Sequence, residues 1–143
     1  MDADELKKRT KRFAFANFET SCRSTEYLQG RTVSGQLVRA GTSIGSNYQA
    51  ACRGRSKAEF IAKLGVVEEE ADESAYWLEL IIEGQLLKAK LVEPLLDEAN
   101  ELTKIMAKSR ISASAALART KLAISHRKSA AKSNWQSAIG NQQ

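Results

Sequence analysis

The sequence predicts an all-α protein, specifically an antiparallel four-helix bundle with up-down-up-down topology. Four stretches of the 143-residue chain carry apolar residues spaced three and four positions apart, as on one face of a helix. The breaks between these stretches are only a few residues long, so consecutive helices must reverse direction. The chain has a single proline and no stretch of alternating apolar and polar residues, which argues against a β-rich fold.

The first predicted helix runs from about Asp4 to Leu28. Leu6 and Phe13 are seven residues apart on one face, and Phe15 and Phe18 belong to a second apolar stripe. A glycine directly after the last periodic residue often ends a helix in a left-handed conformation. Gly30 is therefore expected to be the C-cap of this helix.

The second predicted helix runs from about Thr32 to Arg53. Two glycines, Gly41 and Gly45, lie beside its apolar face, and each costs a helix about 1 kcal/mol relative to alanine. Their presence indicates either close packing against a neighbouring helix or a kink at one of them. Six residues share an apolar arc of about 80°: Val33, Leu37, Ala40, Ile44, Tyr48 and Ala51.

The third predicted helix begins after Ser56, which forms a capping box with Glu59, and extends to about Leu87. Its core seam is Phe60, Leu64, Val67, Ala71, Leu78 and Ile82. The apolar arc of its second half is wider than one core face requires, which predicts a second contact surface. The residues assigned to this oligomer interface are Tyr76, Trp77, Leu80 and Ile81.

The fourth predicted helix follows a break at residues 88–90 and accommodates Pro94 in its first turn. Its seam is Leu95, Ala99, Leu102 and Met106, and the periodicity fades after Ile111. We therefore divide the chain into a bundle domain, residues 1–111, and a basic Ala/Ser/Lys-rich extension, residues 112–143. The extension is either a frayed continuation of the helix or a flexible arm.

Charge is distributed unevenly along the chain. The net charge is +5 overall, and the balance of basic and acidic residues is +5 in residues 1–60, −8 in residues 61–101 and +8 in residues 102–143. The basic ends could bind a polyanion, or they could neutralise the acidic middle within or between subunits.

The sequence shows no catalytic residues and predicts neither a metal nor a cofactor. A carboxylate-bridged metal site in a bundle typically uses Glu-x-x-His pairs, whereas the one histidine, His126, lies in the basic extension. Cys22 and Cys52 lack a histidine base, and we interpret them as buried free thiols rather than a disulfide. No apolar run is long enough to span a membrane, so we expect a cytoplasmic protein.

Basic residues of the second helix form a candidate nucleic-acid site opposite its apolar arc. Arg39 and Arg53 lie within about 40° of each other on a helical wheel, and Arg31 lies about 80° from Arg39. A ridge of this kind could follow phosphates. The alternative is ordinary exposed arginines, some paired with acidic neighbours. The full candidate site is Arg31, Arg39, Arg53, Arg55 and Lys57.

Residues 36–51 carry a family resemblance, through Gln36, Leu37, Arg39, Ala40, Thr42, Ser43, Ile44 and Asn47. This segment resembles the Gln-Leu-x-Arg-(Ala/Ser)-x-Thr-Ser-Ile-x-x-Asn core of four-helix-bundle proteins encoded in intervening sequences of bacterial 23S ribosomal RNA genes. Residues 59–80 and 98–105 are similar to the same family. Gly45 stands where members often have proline, and the acidic residue common after the asparagine is absent.

The resemblance implies a bundle that assembles into a ring of five subunits. A related accessory protein of diversity-generating retroelements forms such a ring, associates with a reverse transcriptase and binds nucleic acid. We therefore expect a non-catalytic homo-oligomer, a homopentamer, that binds RNA or DNA. The alternative is a scaffold or accessory subunit for a nucleic-acid enzyme, and a metal-carboxylate enzyme is a distant third hypothesis.

Overall fold

The computed structural model describes residues 1–23 and 28–140, and it confirms an all-α fold. The four helices are α1 (Ala3–Arg23), α2 (Leu28–Cys52), α3 (Lys57–Glu83) and α4 (Ala89–Gly140). No strand occurs in this part of the chain. Each helix packs against two others: α1 contacts α2 and α4, and α3 contacts α2 and α4. These pairings are those of a four-helix bundle.

Contacts between consecutive helices show that they run antiparallel. In the α1–α2 pair, Thr10 lies against Gly45 and Asn17 against Gly41, so residue numbers rise along one helix as they fall along the other. Arg39 of α2 reaches Glu70 of α3. The two residues of such a contact are separated from the connection between their helices by similar numbers of residues, as expected of antiparallel neighbours.

Along α3, the buried apolar positions recur at intervals of three, four or seven residues, as on one face of a helix. Leu64, Val67, Ala71, Leu78 and Ile81 are all fully buried. They meet buried residues of the other helices, among them Phe13, Leu37, Ile44, Val92, Leu102 and Met106. Two residues of the predicted seam, Phe60 and Ile82, are only partly buried against the core, and Ile81 is the fully buried residue at the end of α3. Ile81 therefore has no surface to offer a neighbouring subunit.

The close contact between α1 and α2 explains Gly41. A Cβ atom at this position would lie 2.1 Å from Nδ2 of Asn17, whereas a Cβ atom at Gly45 would meet nothing closer than 3.7 Å. Gly41 therefore permits close packing, and α2 runs through both glycines without interruption. Asn17 is fully buried, and its side-chain amide has no hydrogen-bond partner among the residues that the structure describes.

Two predicted helix ends were wrong. Gly30 lies in the first turn of α2 and does not cap α1, and no described glycine has a positive φ. The predicted end of α1 at Leu28 falls past residues 24–27, which lie outside the described part. Helix α3 ends at Glu83, where Gln85 adopts a φ of 54°. The Leu86 N–H then donates to the Ile81 carbonyl oxygen at 3.0 Å, which closes the helix as a Schellman motif.

Helix α4 is far longer than the bundle. It runs for 52 residues through the predicted boundary at residue 111, so the extension is helical as far as Gly140. Pro94 lies in its second turn, one turn later than predicted. From Ala118 onward, every described side chain is exposed. This projecting segment, residues 118–140, is about 34 Å long at 1.5 Å per residue.

Candidate nucleic-acid interface

Arg39, in the middle of the predicted ridge, is bound to the acidic helix α3. Its Nη1 lies 3.2 Å from Oε2 of Glu70, and its Nη2 contacts Glu73. The hydrogen bond from Arg39, together with a second from the Trp77 indole N–H at 2.9 Å, lowers the pKa of the Glu73 carboxyl group. The charge of Arg39 is therefore offset within the subunit, and this residue joins α2 to α3.

Arg31 and Arg53 occupy opposite ends of α2. They are 22 residues apart, which corresponds to about 33 Å along the helix axis. Arg31 lies in the first turn, beside the connection from α1, whereas Arg53 directly follows the last turn. The structure therefore does not bring the five predicted contact residues together into one ridge.

Arg53, Arg55 and Lys57 do lie together, at the exposed connection between α2 and α3. The connection has a defined backbone, because the Ser56 side chain accepts a hydrogen bond from the Glu59 N–H at 3.1 Å. The Glu59 carboxylate in turn accepts from the Arg55 N–H at 2.9 Å. None of the three cations forms an ion pair with any residue that the structure describes.

The outer face of α1 carries basic and aromatic side chains that run from the level of this connection toward the middle of the bundle. Lys8, Lys11 and Arg12 are exposed there, and a groove of about 740 Å³ runs past them and Phe15. Phe15 and Phe18 are 57% and 38% exposed, and their rings meet edge to face with centroids 5.9 Å apart. Sequence reasoning assigned these phenylalanines to an apolar stripe without noting the cations on the same face.

The connection at residues 53–57 and the start of α1 are neighbours because α1 and α2 are antiparallel. The pKa of Lys7 is raised, chiefly by its hydrogen bond to Asp4 at 2.9 Å, and the positive charge of Arg53 nearby opposes this rise. We call the six exposed cations of this region the basic end of the bundle: Lys8, Lys11, Arg12, Arg53, Arg55 and Lys57.

Two other arginines hold helices together in the way Arg39 does. Arg9 of α1 donates to both carboxylate oxygens of Glu98, at 2.5 and 2.7 Å, and to Glu101 at 2.6 Å. Arg110 of α4 donates to Glu68 at 2.6 Å, which lowers the pKa of that carboxyl group. Charge compensation within the subunit, one of the two alternatives left open by the sequence, therefore accounts for these three arginines.

Three of the residues assigned to an oligomer interface lie on the outer part of α3. Tyr76 is 53% exposed, and its ring meets that of Trp77 edge to face with centroids 5.1 Å apart. Trp77 and Leu80 are half-buried. Ile81 is a correction to the predicted set, because it is fully buried in the core. Tyr76, Trp77 and Leu80 are called the aromatic patch below.

The described residues form neither a metal-binding cluster nor a disulfide. Within residues 1–23 and 28–140, no group of three or more His, Cys, Asp or Glu side chains is arranged to hold a metal ion. Cys22 is exposed, contrary to the prediction of a buried thiol, and Cys52 is half-buried. Neither forms a disulfide. No described helix is both long and apolar enough to cross a membrane.

Comparison with known proteins identifies relatives of the bundle. Residues 5–108 match the family described as 23S rRNA-intervening sequence protein. The chain is also similar to a crystal structure of a protein with unknown function from the S23 ribosomal protein family of Bacteroides thetaiotaomicron. That protein is 29% identical with a TM-score of 0.71, and the similarity covers 77% of this chain and 98% of the other. No curated protein matches the chain.

Proposed function

The chain belongs to the 23S rRNA-intervening sequence protein family, and from this premise we propose that it is a non-catalytic homo-oligomer that binds RNA or DNA through the basic end of the bundle. The observation that carries the proposal is the set of six exposed cations, three at the connection between α2 and α3 and three on α1 in the groove with Phe15, none of them in an ion pair with a described residue. The protein acts in the cytoplasm, where ribosomal and messenger RNA are present.

The chemistry of this surface suits single-stranded or structured RNA. Lysine and arginine side chains neutralise phosphates and release counterions, which gives binding without sequence preference. An exposed aromatic ring next to such cations offers a face on which an unpaired base can stack. Phe15 supplies such a ring beside Lys11 and Arg12. The site therefore combines backbone attraction with base stacking.

Assembly would multiply a modest surface. A closed ring of five subunits repeats the basic end five times, and several weak contacts on one RNA molecule act together as a multivalent site. The aromatic patch provides exposed apolar surface for subunit contacts, and Trp77 is held in place by its hydrogen bond to Glu73. We propose a homopentamer as the binding species because the family resemblance implies a ring of five subunits.

The test is fluorescence anisotropy with a labelled single-stranded RNA of about 20 nucleotides at about 50 mM salt, where electrostatic binding is readily detected. We expect Arg53→Ala/Arg55→Ala to weaken binding at least about tenfold, because two phosphate contacts are lost. Arg110→Ala/Arg119→Ala is the matched control, since it also removes two positive charges but outside the basic end, and Arg110 is bound to Glu68. Affinity for all sequences should fall steeply as salt rises.

The alternative function is a scaffold or accessory subunit for a nucleic-acid enzyme. The exposed Tyr76–Trp77 pair favours it, since aromatic residues are enriched at protein–protein interfaces. Absence of binding to both RNA and DNA at about 50 mM salt, where electrostatic binding is readily detected, would contradict the primary proposal. Purification of a stoichiometric protein partner without nucleic acid would then support the scaffold.

A further inference from the structure

Four acidic side chains on the outer face of α3 form no ion pair within the described part of the subunit. Glu69, Asp72, Glu79 and Glu83 are exposed, and none forms an ion pair or side-chain hydrogen bond with a residue that the structure describes. They differ in this from Glu68, Glu70 and Glu73, which bind Arg110 and Arg39. Together with exposed Tyr76, the four lie within an arc of about 80° opposite the core. We call these five residues the acidic stripe.

The projecting segment of α4 carries a stripe of opposite charge. Its five members are exposed and lie within an arc of about 80°: Lys121, Ile124, Lys128, Lys132 and Trp135. No acidic residue follows Glu101 in the sequence, and Ile124 and Trp135 are 49% and 69% exposed. We call this set the lysine stripe. Lysines and large apolar side chains therefore share this face of α4. On α3, in a similar way, three glutamates and an aspartate share a face with Tyr76.

The two stripes of one subunit cannot meet. Arg110 is level with Glu68, and α4 continues from there as one straight run of helix past the first residue of α3. The projecting segment therefore points away from the bundle that carries its own acidic stripe. Any partner of its exposed apolar side chains and lysines therefore lies on another molecule.

We propose that the projecting segment of one copy docks lengthwise on the acidic stripe of a second copy. This inference rests on the proposed self-association and names the surfaces that make it. The end residues of each stripe, Lys121 and Trp135 or Glu69 and Glu83, are 14 positions apart, or about 21 Å along the helix. Their charges are complementary, and a shift of about one helical turn from full overlap brings Tyr76 opposite Ile124. Because the two surfaces differ, the contact is heterologous and repeats around a ring.

The composition of the lysine stripe favours a protein surface over nucleic acid. Phosphates would neutralise the lysines but would leave the Ile124 side chain in water. An acidic helix face that also carries an apolar residue can neutralise the lysines and bury Ile124. Arg119 and Arg127 point to other sides of the same segment, about 180° and 100° from the centre of the stripe. A segment that binds RNA by charge alone would use these arginines as much as the lysines.

Sedimentation equilibrium of the full-length chain tests the inference. Lys121→Glu/Lys128→Glu should weaken self-association at least about tenfold, because like charges then face each other across the contact. Arg119→Glu/Arg127→Glu is the matched control, with the same change in charge on the same segment, and should stay within about threefold of wild type. Adding Asp72→Lys/Glu79→Lys to the lysine variant should restore assembly, which a merely damaged fold would not allow.

Three outcomes would overturn the inference. Equal effects of both pairs on self-association would show that overall charge matters and the stripe does not. An oligomer unaffected by either pair, with RNA affinity lowered equally by both, would make the segment a nucleic-acid arm. A wild-type chain that is monomeric at all concentrations would overturn the proposed homo-oligomer as well, whereas an oligomer insensitive to these changes overturns the docking alone.

Discussion

The middle of α2 and its C-terminal end carry arginines on the same face, yet the two regions do different things. Arg39 is bound between Glu70 and Glu73 of α3, whereas Arg53 lies just beyond the helix, exposed and without an ion pair among the described residues. They differ in position along the bundle and therefore in what the neighbouring helix presents. Arg39, inside the span of α3, holds two helices together, whereas Arg53, beyond that span, is available to a partner.

The largest effect that this comparison predicts belongs to Arg9, whose side chain is only 18% exposed. Arg9→Ala leaves Glu98 and Glu101 facing α1 without a cation, and loss of charge-assisted hydrogen bonds of this kind lowers the free energy of unfolding by about 1–2 kcal/mol. Urea denaturation measures the change. Arg12→Ala on the exposed face of α1 is the control and should leave stability as it is. Equal stabilities of the two variants would break the comparison.

Acid should weaken the same contacts between helices. The pKa values of Glu68 and Glu73 are lowered by hydrogen bonds from Arg110 and Arg39. A carboxyl group whose pKa is lower in the folded than in the unfolded state stabilises the fold at pH values above its unfolded-state pKa. That stability is lost as the pH falls through its folded-state pKa. We expect the melting temperature to drop by a few degrees as the pH falls from about 5 to about 3.

The control for this acid effect removes the cations. In Arg39→Gln/Arg110→Gln, Glu68 and Glu73 lose the hydrogen bonds that contribute most to lowering their pKa values, and only the bond from Trp77 to Glu73 remains. The melting temperature should therefore depend less on pH over the same range. An unchanged pH dependence in this variant would mean that other carboxyl groups cause the acid sensitivity.

The smallest predicted effect is optical. Glu73 binds both Arg39 and the indole of Trp77, so Arg39→Gln should loosen the indole and shift its fluorescence emission slightly toward the red. Trp135→Phe as the common background removes the second tryptophan. Arg53→Gln in that background should leave the emission spectrum unchanged. A shift of the same size in both variants would show that Arg39 has no special connection to the aromatic patch.

The sequence predicted the helices and most of the core because periodicity is a local property. It missed the choice between Ile81 and Ile82, which are adjacent members of one wide apolar arc, and only the positions of α2 and α4 decide which is buried. It also placed a break at Gly30, where the structure has helix. After Ile111 the apolar pattern fades, but alanine, lysine and arginine have high helix propensity, and α4 continues.

The candidate site was predictable only in part, for the same reason. Arg53, Arg55 and Lys57 are close in sequence, so their proximity follows from the chain itself. Whether Arg39 forms ion pairs with α3 depends on the register between α2 and α3, which no local sequence pattern specifies. Phe15 and Phe18 could have been recognised as exposed from the lysines and arginine on the same face of α1, because aromatic residues facing a core are rarely surrounded by cations.

The uninterrupted course of α4 makes the projecting segment a lever arm. Its base is fixed by Leu102 and Met106 in the core of the bundle, and Gly140 lies about 51 Å beyond Met106 along the helix. A change of about 5° in the packing angle of the base therefore moves the tip by roughly 4 Å, on the order of one side-chain contact. Small adjustments inside one subunit are thus amplified at the point where its helix reaches another molecule.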